Sequence, residues 1–381
     1  MARLWLQISG YRSLMKPNLI PLNDLTRWDA KDLSEVLSCM SEVAESGYFM
    51  IGPHTAAFES QLSQILNDTT IVCVGNGTDA LVLSLLSLGI KHGDKVATVA
   101  NAGGYATGAI LRVGAIPILV DVDLNTAQMS TASLSAQLET NADVKAVIVT
   151  HLYGLMANMQ LIKRLTTSKG ILLIEDCAQA IGAKLGEILA GAWGDASTFS
   201  FYPTKNLACL GDGGAVAFKK SENAEICRRL AQYGWSERYV ILEASGMNSR
   251  LDEVQAAILR SRLKRLNHSN QVRRSIVNRY SRSLDKSRYM ICSESESFVG
   301  HLAVMVSPSR QEDIDRFSLA NVGYGIHYPV LDHQQPAWSE HFVGVSLPNS
   351  EKLVDSIVTL PCFPLMTDDE ISRVCDVLKS L

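Results

Sequence analysis

Between about residues 70 and 220, short apolar runs alternate with stretches whose apolar residues recur every three or four positions. Seven runs read as strands: Thr70–Val74, Lys95–Val99, Ile116–Val120, Ala146–Thr150, Ile171–Glu175, Ala196–Phe201 and Ala215–Phe218. Helical spacing predicts helices over Thr78–Leu88, Ala106–Val113 and Met159–Ser168. Alternation of this kind predicts an α/β fold, with helices covering both faces of a mostly parallel mixed sheet. The character changes after about residue 245. Ser249–Leu266 reads as one long helix rich in Ala, Leu, Arg and Glu, followed by a more polar, mixed region and a helix-like Asp368–Leu381. The pattern therefore divides the chain into a large α/β domain over 1–245 and a smaller α+β C-terminal domain over 246–381.

Composition narrows the function classes. A chain of 381 residues is long enough for two domains and a large core. Its net charge of −4 gives no reason to expect a nucleic-acid or anionic-membrane partner. No apolar run reaches the length needed to span a bilayer. The eight cysteines are scattered without a C-x-x-C pair, and several lie in apolar contexts such as Ile71-Val72-Cys73-Val74. That usage predicts small core residues in a reducing cytoplasm, with neither a disulfide framework nor a metal site. Residues 1–14 lack the sustained apolar core of a signal peptide and read as a non-essential extension before Met15.

Candidate chemistry begins at Lys205, in Ser200-Phe-Tyr-Pro-Thr-Lys205, shortly before Gly211-Asp-Gly-Gly214. Among aromatics and small residues it is either a loop lysine whose stem packs on Phe201 and Tyr202, or an amine kept neutral by burial and able to attack a carbonyl. Four other positions bear on the choice. Gly75-Asn-Gly-Thr-Asp-Ala-Leu81 follows a strand and opens a helix, which Thr78 or Asp79 can cap while Gly77 admits close backbone approach; free N–H groups there suit one phosphate. The fingerprints of dinucleotide and P-loop sites are absent. Asp176 ends an apolar strand, where a carboxylate either caps the next turn or pairs with a cation such as a protonated pyridine nitrogen. Gln179 can reach the same cavity, and Ser200 offers a hydroxyl to a phosphate. An amine, an acid and a phosphate cradle together amount to a pyridoxal phosphate site.

The motifs that surround these residues resemble the DegT/StrS-type nucleotide-sugar aminotransferases, pyridoxal phosphate enzymes of fold type I in the aspartate aminotransferase superfamily. The resemblance runs from about Ile20 to the C-terminus. It is carried by Gly52-Pro53 with Phe58-Glu59, Asn76-Gly-Thr-Asp-Ala-Leu81, Gly93-Asp94, Gly114-Ala-Ile-Pro117 with Asp121-Val-Asp123, Glu175-Asp-Cys-Ala-Gln179, Ser200-Phe-Tyr-Pro-Thr-Lys205 and Gly211-Asp-Gly-Gly214. Asn248-Ser-Arg250 with Gln255-Ala-Ala257, His327-Tyr-Pro329 and Leu360-Pro-Cys-Phe-Pro364 continue it. The resemblance implies that Lys205 binds the cofactor as a Schiff base and shuttles protons, that Asp176 pairs with the pyridine nitrogen, and that Gln179 meets the ring hydroxyl. Gly77, Thr78 and Ser200 would hold the phosphate. In a homodimer with shared sites, Asn248 would reach the partner's cofactor phosphate and Arg250 its substrate region, and His327 and Tyr328 would face substrate.

One segment departs from the family's pattern. Where the family carries an aromatic residue that stacks on the pyridine ring, this chain has Ala100-Asn-Ala-Gly-Gly-Tyr-Ala-Thr107, so that position falls on Gly104. Either Tyr105 swings in over the ring or another group fills a wider cleft. The implied reaction is transfer of an amino group from L-glutamate, by way of pyridoxamine phosphate, to a dTDP-4-keto-6-deoxyhexose, giving a dTDP-4-amino-4,6-dideoxy sugar for glycan or lipopolysaccharide O-antigen synthesis. A 3-aminotransferase acting on a dTDP-3-keto-6-deoxyhexose is the alternative. A non-catalytic pyridoxal phosphate-binding regulator and a nicotinamide dehydrogenase are rivals of other classes.

Overall fold

A computed structural model of the chain describes residues 18–285, 287–291 and 295–381; the proposed extension 1–14 and Cys292 lie outside them. Among the described residues, nine strands precede residue 220: β1 (Thr70–Val74), β2 (Lys95–Val99), β3 (Ile116–Val120), β4 (Val144–Thr150), β5 (Leu172–Asp176), the short hairpin β6 (Lys184–Leu185) and β7 (Ile188–Leu189), β8 (Ala196–Ser200) and β9 (Gly214–Phe218). Seven form one sheet in the order β1-β9-β8-β5-β4-β2-β3. Only β9 runs against its neighbours β1 and β8, so the other six strands point the same way. The expected strands are present with ends moved by two residues or fewer. Near-continuous burial of β1, β2, β4, β5, β8 and β9 explains why they read as apolar runs and do not alternate.

Because the six strands are parallel, their C-terminal ends share one edge of the sheet. That edge carries the β1 turn into the helix Gly77–Ser87, Asp176 at the end of β5, Ser200 at the end of β8, and the turns after β4 and β2. In open sheets of this kind, the carboxyl edge is where ligands bind.

After two further small strands, β10 (Trp235–Glu237) and β11 (Val240–Ile241), the expected long helix over Ser249–Leu266 is replaced by two helices, Glu253–Leu263 and Leu266–Ser281. The start is late for a physical reason. Ser249 is held elsewhere: its N–H donates to the Ala231 carbonyl, and its Oγ bridges Gly75 N and Asp79 Oδ2. The buried Glu253 carboxylate then accepts N–H bonds from Gly52, His54 and Thr55. It thereby ties the new helix to the start of Pro53–Ile65, whose first-turn donors have no partner of their own. Beyond it, β12 (Tyr289–Met290), β13 (Ala303–Val306) and β14 (Ile357–Leu360) form an antiparallel sheet. Its apolar residues belong to the same buried cluster as Val147, Leu173 and Phe201 of the large sheet region.

Candidate active site

The turn after β1 is the first wall of the site. The residue that caps Gly77–Ser87 is Asn76, not Thr78 or Asp79: its Oδ1 accepts the Asp79 N–H at 2.8 Å. Asp79 is engaged by Ser249 Oγ and Asn76 Nδ2. The capped helix leaves the N–H groups of Gly77 and Thr78 without intrahelical acceptors. Gly77 is a glycine of necessity, since a Cβ there would lie 2.7 Å from the Ser200 Cβ. The helix start and the Ser200 hydroxyl are thus side by side, and donors plus helix dipole suit an anion.

Asp176 and Gln179 form the floor. Both are buried. Asp176 Oδ2 accepts from Thr150 Oγ1 at 3.1 Å and Oδ1 from the Ala178 N–H at 3.1 Å, so the turn-capping role and a free acceptor face coexist. Burial pushes the Asp176 carboxyl above the usual range, while the bond from Ala178 and the charge of Lys205 oppose that shift. A desolvated carboxylate in this state gains from a cationic partner. Beneath it, Glu175 is saturated: it accepts from Gly191, Trp193 and Gly194 N–H, Ser197 Oγ and His151 Nε2. His151 Nδ1 takes the Ala157 N–H. Although His151, Glu175 and Cys177 lie close enough together to suggest a metal cluster, the first two have every nitrogen and oxygen committed to the fold.

Lys205 lies in the turn after β8, its N–H donating to the Tyr202 carbonyl at 2.8 Å. Removal from water lowers its ammonium pKa to about 8, against the pull of Asp176. A substantial neutral fraction at pH 7–8 is what a carbonyl-attacking amine requires. Gln179 Oε1 accepts the Tyr153 N–H at 2.6 Å, and its Nε2 donates to Tyr328 Oη at 3.2 Å. Tyr153 Oη in turn donates to the His327 carbonyl. Burial and the neighbouring Lys205 charge pull His327 down to about 4, so its imidazole is neutral at physiological pH. The structure therefore brings Gly77, Asp176, Gln179, Ser200, Lys205, His327 and Tyr328 to one edge of the sheet. Thr78 opens the helix beside them and is exposed.

The departure at Gly104 has a definite outcome. Gly104 is left-handed (φ 80°), and a Cβ there would be 2.9 Å from Trp338 Cη2. The indole packs where a side chain on Gly104 would project and also against Gly108, joined to an apolar group of Ala100, Leu119, Leu331 and Phe342. An aromatic group beside position 104 is thus supplied from the C-terminal half of the chain. Tyr105 is 51% exposed and stands edge-on to Tyr328, ring centroids 6.2 Å apart. Asp176 is close enough to Tyr105 to add to the rise in its pKa that burial begins.

Asn248 and Arg250 do not join this cluster within one protomer. Asn248 is exposed and bridges to Gln232. Arg250 lines a separate cavity with Glu59, Arg228 and Gln232, and its Nε is buried without a partner. Trp338 and His301, whose Nδ1 is 3.0 Å from Oδ1 of Asn206, the residue after Lys205, have no counterpart in the sequence reading. Nothing local marks either one, because each acquires its neighbours from segments far away in the chain.

A buried acid, a lysine held partly neutral and a helix start aimed at an anion fit the three poles of pyridoxal phosphate: its ring nitrogen, aldehyde and phosphate. The fold and this cluster define a pyridoxal phosphate-dependent aminotransferase. The chain belongs to the DegT/DnrJ/EryC1/StrS aminotransferase family, whose model matches residues 31–379. It is 35% identical to a dTDP-3-amino-3,6-dideoxy-alpha-D-galactopyranose transaminase of Aneurinibacillus thermoaerophilus, over 95% of this chain and 99% of that one. It is 34% identical to a dTDP-3-amino-3,4,6-trideoxy-alpha-D-glucose transaminase of Micromonospora megalomicea subsp. nigra, over 92% and 96%. The crystal structure of S. venezuelae DesV in complex with a ketimine intermediate matches with a TM-score of 0.90 at 31% identity, over 95% and 98% of the two chains.

Proposed function

We propose that this aminotransferase moves an amino group from L-glutamate to a keto-deoxy sugar carried on a nucleotide, dTDP being the carrier its relatives' names support. The observation that carries the reading is the convergence of Lys205, Asp176 and the Gly77–Ser200 cradle on one sheet edge. Two acceptor carbons are consistent with it. The sequence resemblance points to C4, and the two relatives, both named for 3-amino sugars, give equal support to C3.

When bound, the cofactor supplies an electron sink that lets an amino group be taken up from one substrate and passed to a ketone. In this reading Lys205 Nζ attaches the cofactor's aldehyde carbon. Its Nζ would also hold and move the proton at the amino-bearing carbon of the substrate. Asp176 would keep the ring nitrogen protonated, and Gln179 would orient the ring hydroxyl. Gly77, Thr78 and Ser200 would hold the phosphate, Tyr105 would cover the ring, and His327 and Tyr328 would face the sugar. Exposed apolar side chains at Tyr48, Phe49, Ile51 and Tyr239–Leu242 support a homodimer. The partner's Asn248 and the partner's Arg250 would complete the phosphate and substrate contacts there. Among the described residues no helix is long and apolar enough to cross a membrane.

The test is optical. Protein loaded with pyridoxal phosphate should lose its visible absorbance on adding glutamate and regain it on adding a dTDP-linked keto sugar, with 3- and 4-keto substrates compared by NMR of the products. Lys205→Ala should abolish the cycle. A band unmoved by glutamate and by other amino donors would count for the regulatory reading.

A further inference from the structure

His301 packs against the turn that carries the lysine. Its ring is buried, and Nδ1 is 3.0 Å from Oδ1 of Asn206, the residue that follows Lys205. The Asn206 amide is fixed by its other contacts: Nδ2 donates to Asn270 Oδ1 at 2.8 Å and to the Val299 carbonyl at 3.0 Å. An amide whose nitrogen donates twice leaves its oxygen to accept, so the His301 proton resides on Nδ1. Nε2 then carries a bare lone pair, and no described group uses it. The ring is also held against the floor of the site. A Cβ on Gly154 would meet the Gln179 carbonyl at 2.9 Å, Val299 Cγ2 at 2.9 Å and His301 Cβ at 3.1 Å, so these elements pack without slack.

The charged and titratable groups around the pair are few. Burial first, then Lys205, Arg273 and His327, push the His301 imidazole well below its ordinary value. Asp176 acts on Lys205 from the opposite side. His301 is therefore a neutral, tautomer-locked acceptor beside an amine that must be aimed.

We propose that His301 is a positioning residue for Lys205, its Nε2 accepting a hydrogen bond from the Lys205 amine and holding it towards the carbon it attacks. The proposal rests on the reading of Lys205 as the attachment residue. In the capture step, Nζ joins the aldehyde carbon of pyridoxal phosphate and the carbonyl oxygen leaves as water.

Cofactor-free protein mixed with pyridoxal phosphate and followed by absorbance across pH reads this step directly, and two variants separate the roles of the two ring nitrogens. His301→Gln places an amide near the Nε2 position, and His301→Asn places one near Nδ1. Gln should capture the cofactor within about threefold of wild type, whereas Asn, which restores the Asn206 contact, should be slower by about tenfold, near the upper end for one hydrogen bond between neutral groups. Melting temperatures show whether both variants fold. If Asn matches wild type and Gln fails, or if the two behave alike, the proposal is overturned. Capture that persists unchanged in Lys205→Ala would instead defeat the attachment reading.

Discussion

Lys205 and Asp176 act on each other in opposite senses. Burial lowers the lysine's ammonium pKa to about 8 and raises the aspartate's, while each charge resists the other's shift. Asp176→Asn removes the negative charge that favours the ammonium form. The Lys205 pKa should then fall further, and the pH midpoint for capture of pyridoxal phosphate should move below about 8, which absorbance kinetics would detect. A rise in the midpoint would contradict this coupling. On the proposed reading of the site, the same substitution also takes the partner from the ring nitrogen. A hydrogen bond to a charged group contributes about 1.5–3 kcal/mol, so cofactor affinity measured by equilibrium dialysis should drop by roughly ten- to a hundredfold. These two residues were legible in the sequence because each sits at or just beyond the end of an apolar strand. His301 was not, since its tautomer depends on Asn206, Asn270 and Val299, which only the fold assembles.

At the scale of elements, the strands were legible because burial on both faces leaves a continuous apolar run, whereas the ends of helices depended on contacts from elsewhere. The late start at Glu253 reflects the commitments of Ser249 to Asp79 and of Glu253 to the Gly52–Thr55 turn. The position of Trp338 beside Gly104 likewise joins two segments with no shared local pattern. The helix Gly77–Ser87 allows capping and ligand binding to be tested apart. Asn76→Ala removes a cap from the Asp79 N–H and should cost about 1 kcal/mol of stability, seen as a lower melting temperature. It leaves the N–H groups of Gly77 and Thr78 in place, so affinity for pyridoxal phosphate should change little. Gly77→Ala drives a Cβ against Ser200, an overpacking that typically costs about 1–3 kcal/mol and here separates the two halves of the proposed phosphate cradle. Its cofactor affinity should fall by about tenfold or more for that cost. Wild-type affinity in Gly77→Ala would remove the helix start from the site.

At the scale of the whole molecule, one protomer leaves two features unexplained. Tyr239 is 72% exposed beside Val240, Ile241 and Leu242, with Tyr48, Phe49 and Ile51 also open to solvent. Contiguous apolar side chains of this kind mark surfaces that a partner covers. Arg250, whose Nε is buried and unpaired, and the exposed Asn248 stand apart from the Lys205 cluster of their own chain. The proposed two-fold dimer would account for both, because an isologous interface would present each chain's Asn248 and Arg250 to its partner. Subunit complementation puts this to a decisive test. Lys205→Ala and Asn248→Ala should each be nearly inactive as homodimers. Co-expressed, they form mixed dimers in which one site has lost both groups and the other takes an intact lysine from one chain and an intact asparagine from the other. Random pairing makes half the dimers mixed, each with one working site, so activity should recover to about a quarter of wild type. If each chain instead built its site alone, every site would retain one defect and mixing would restore nothing.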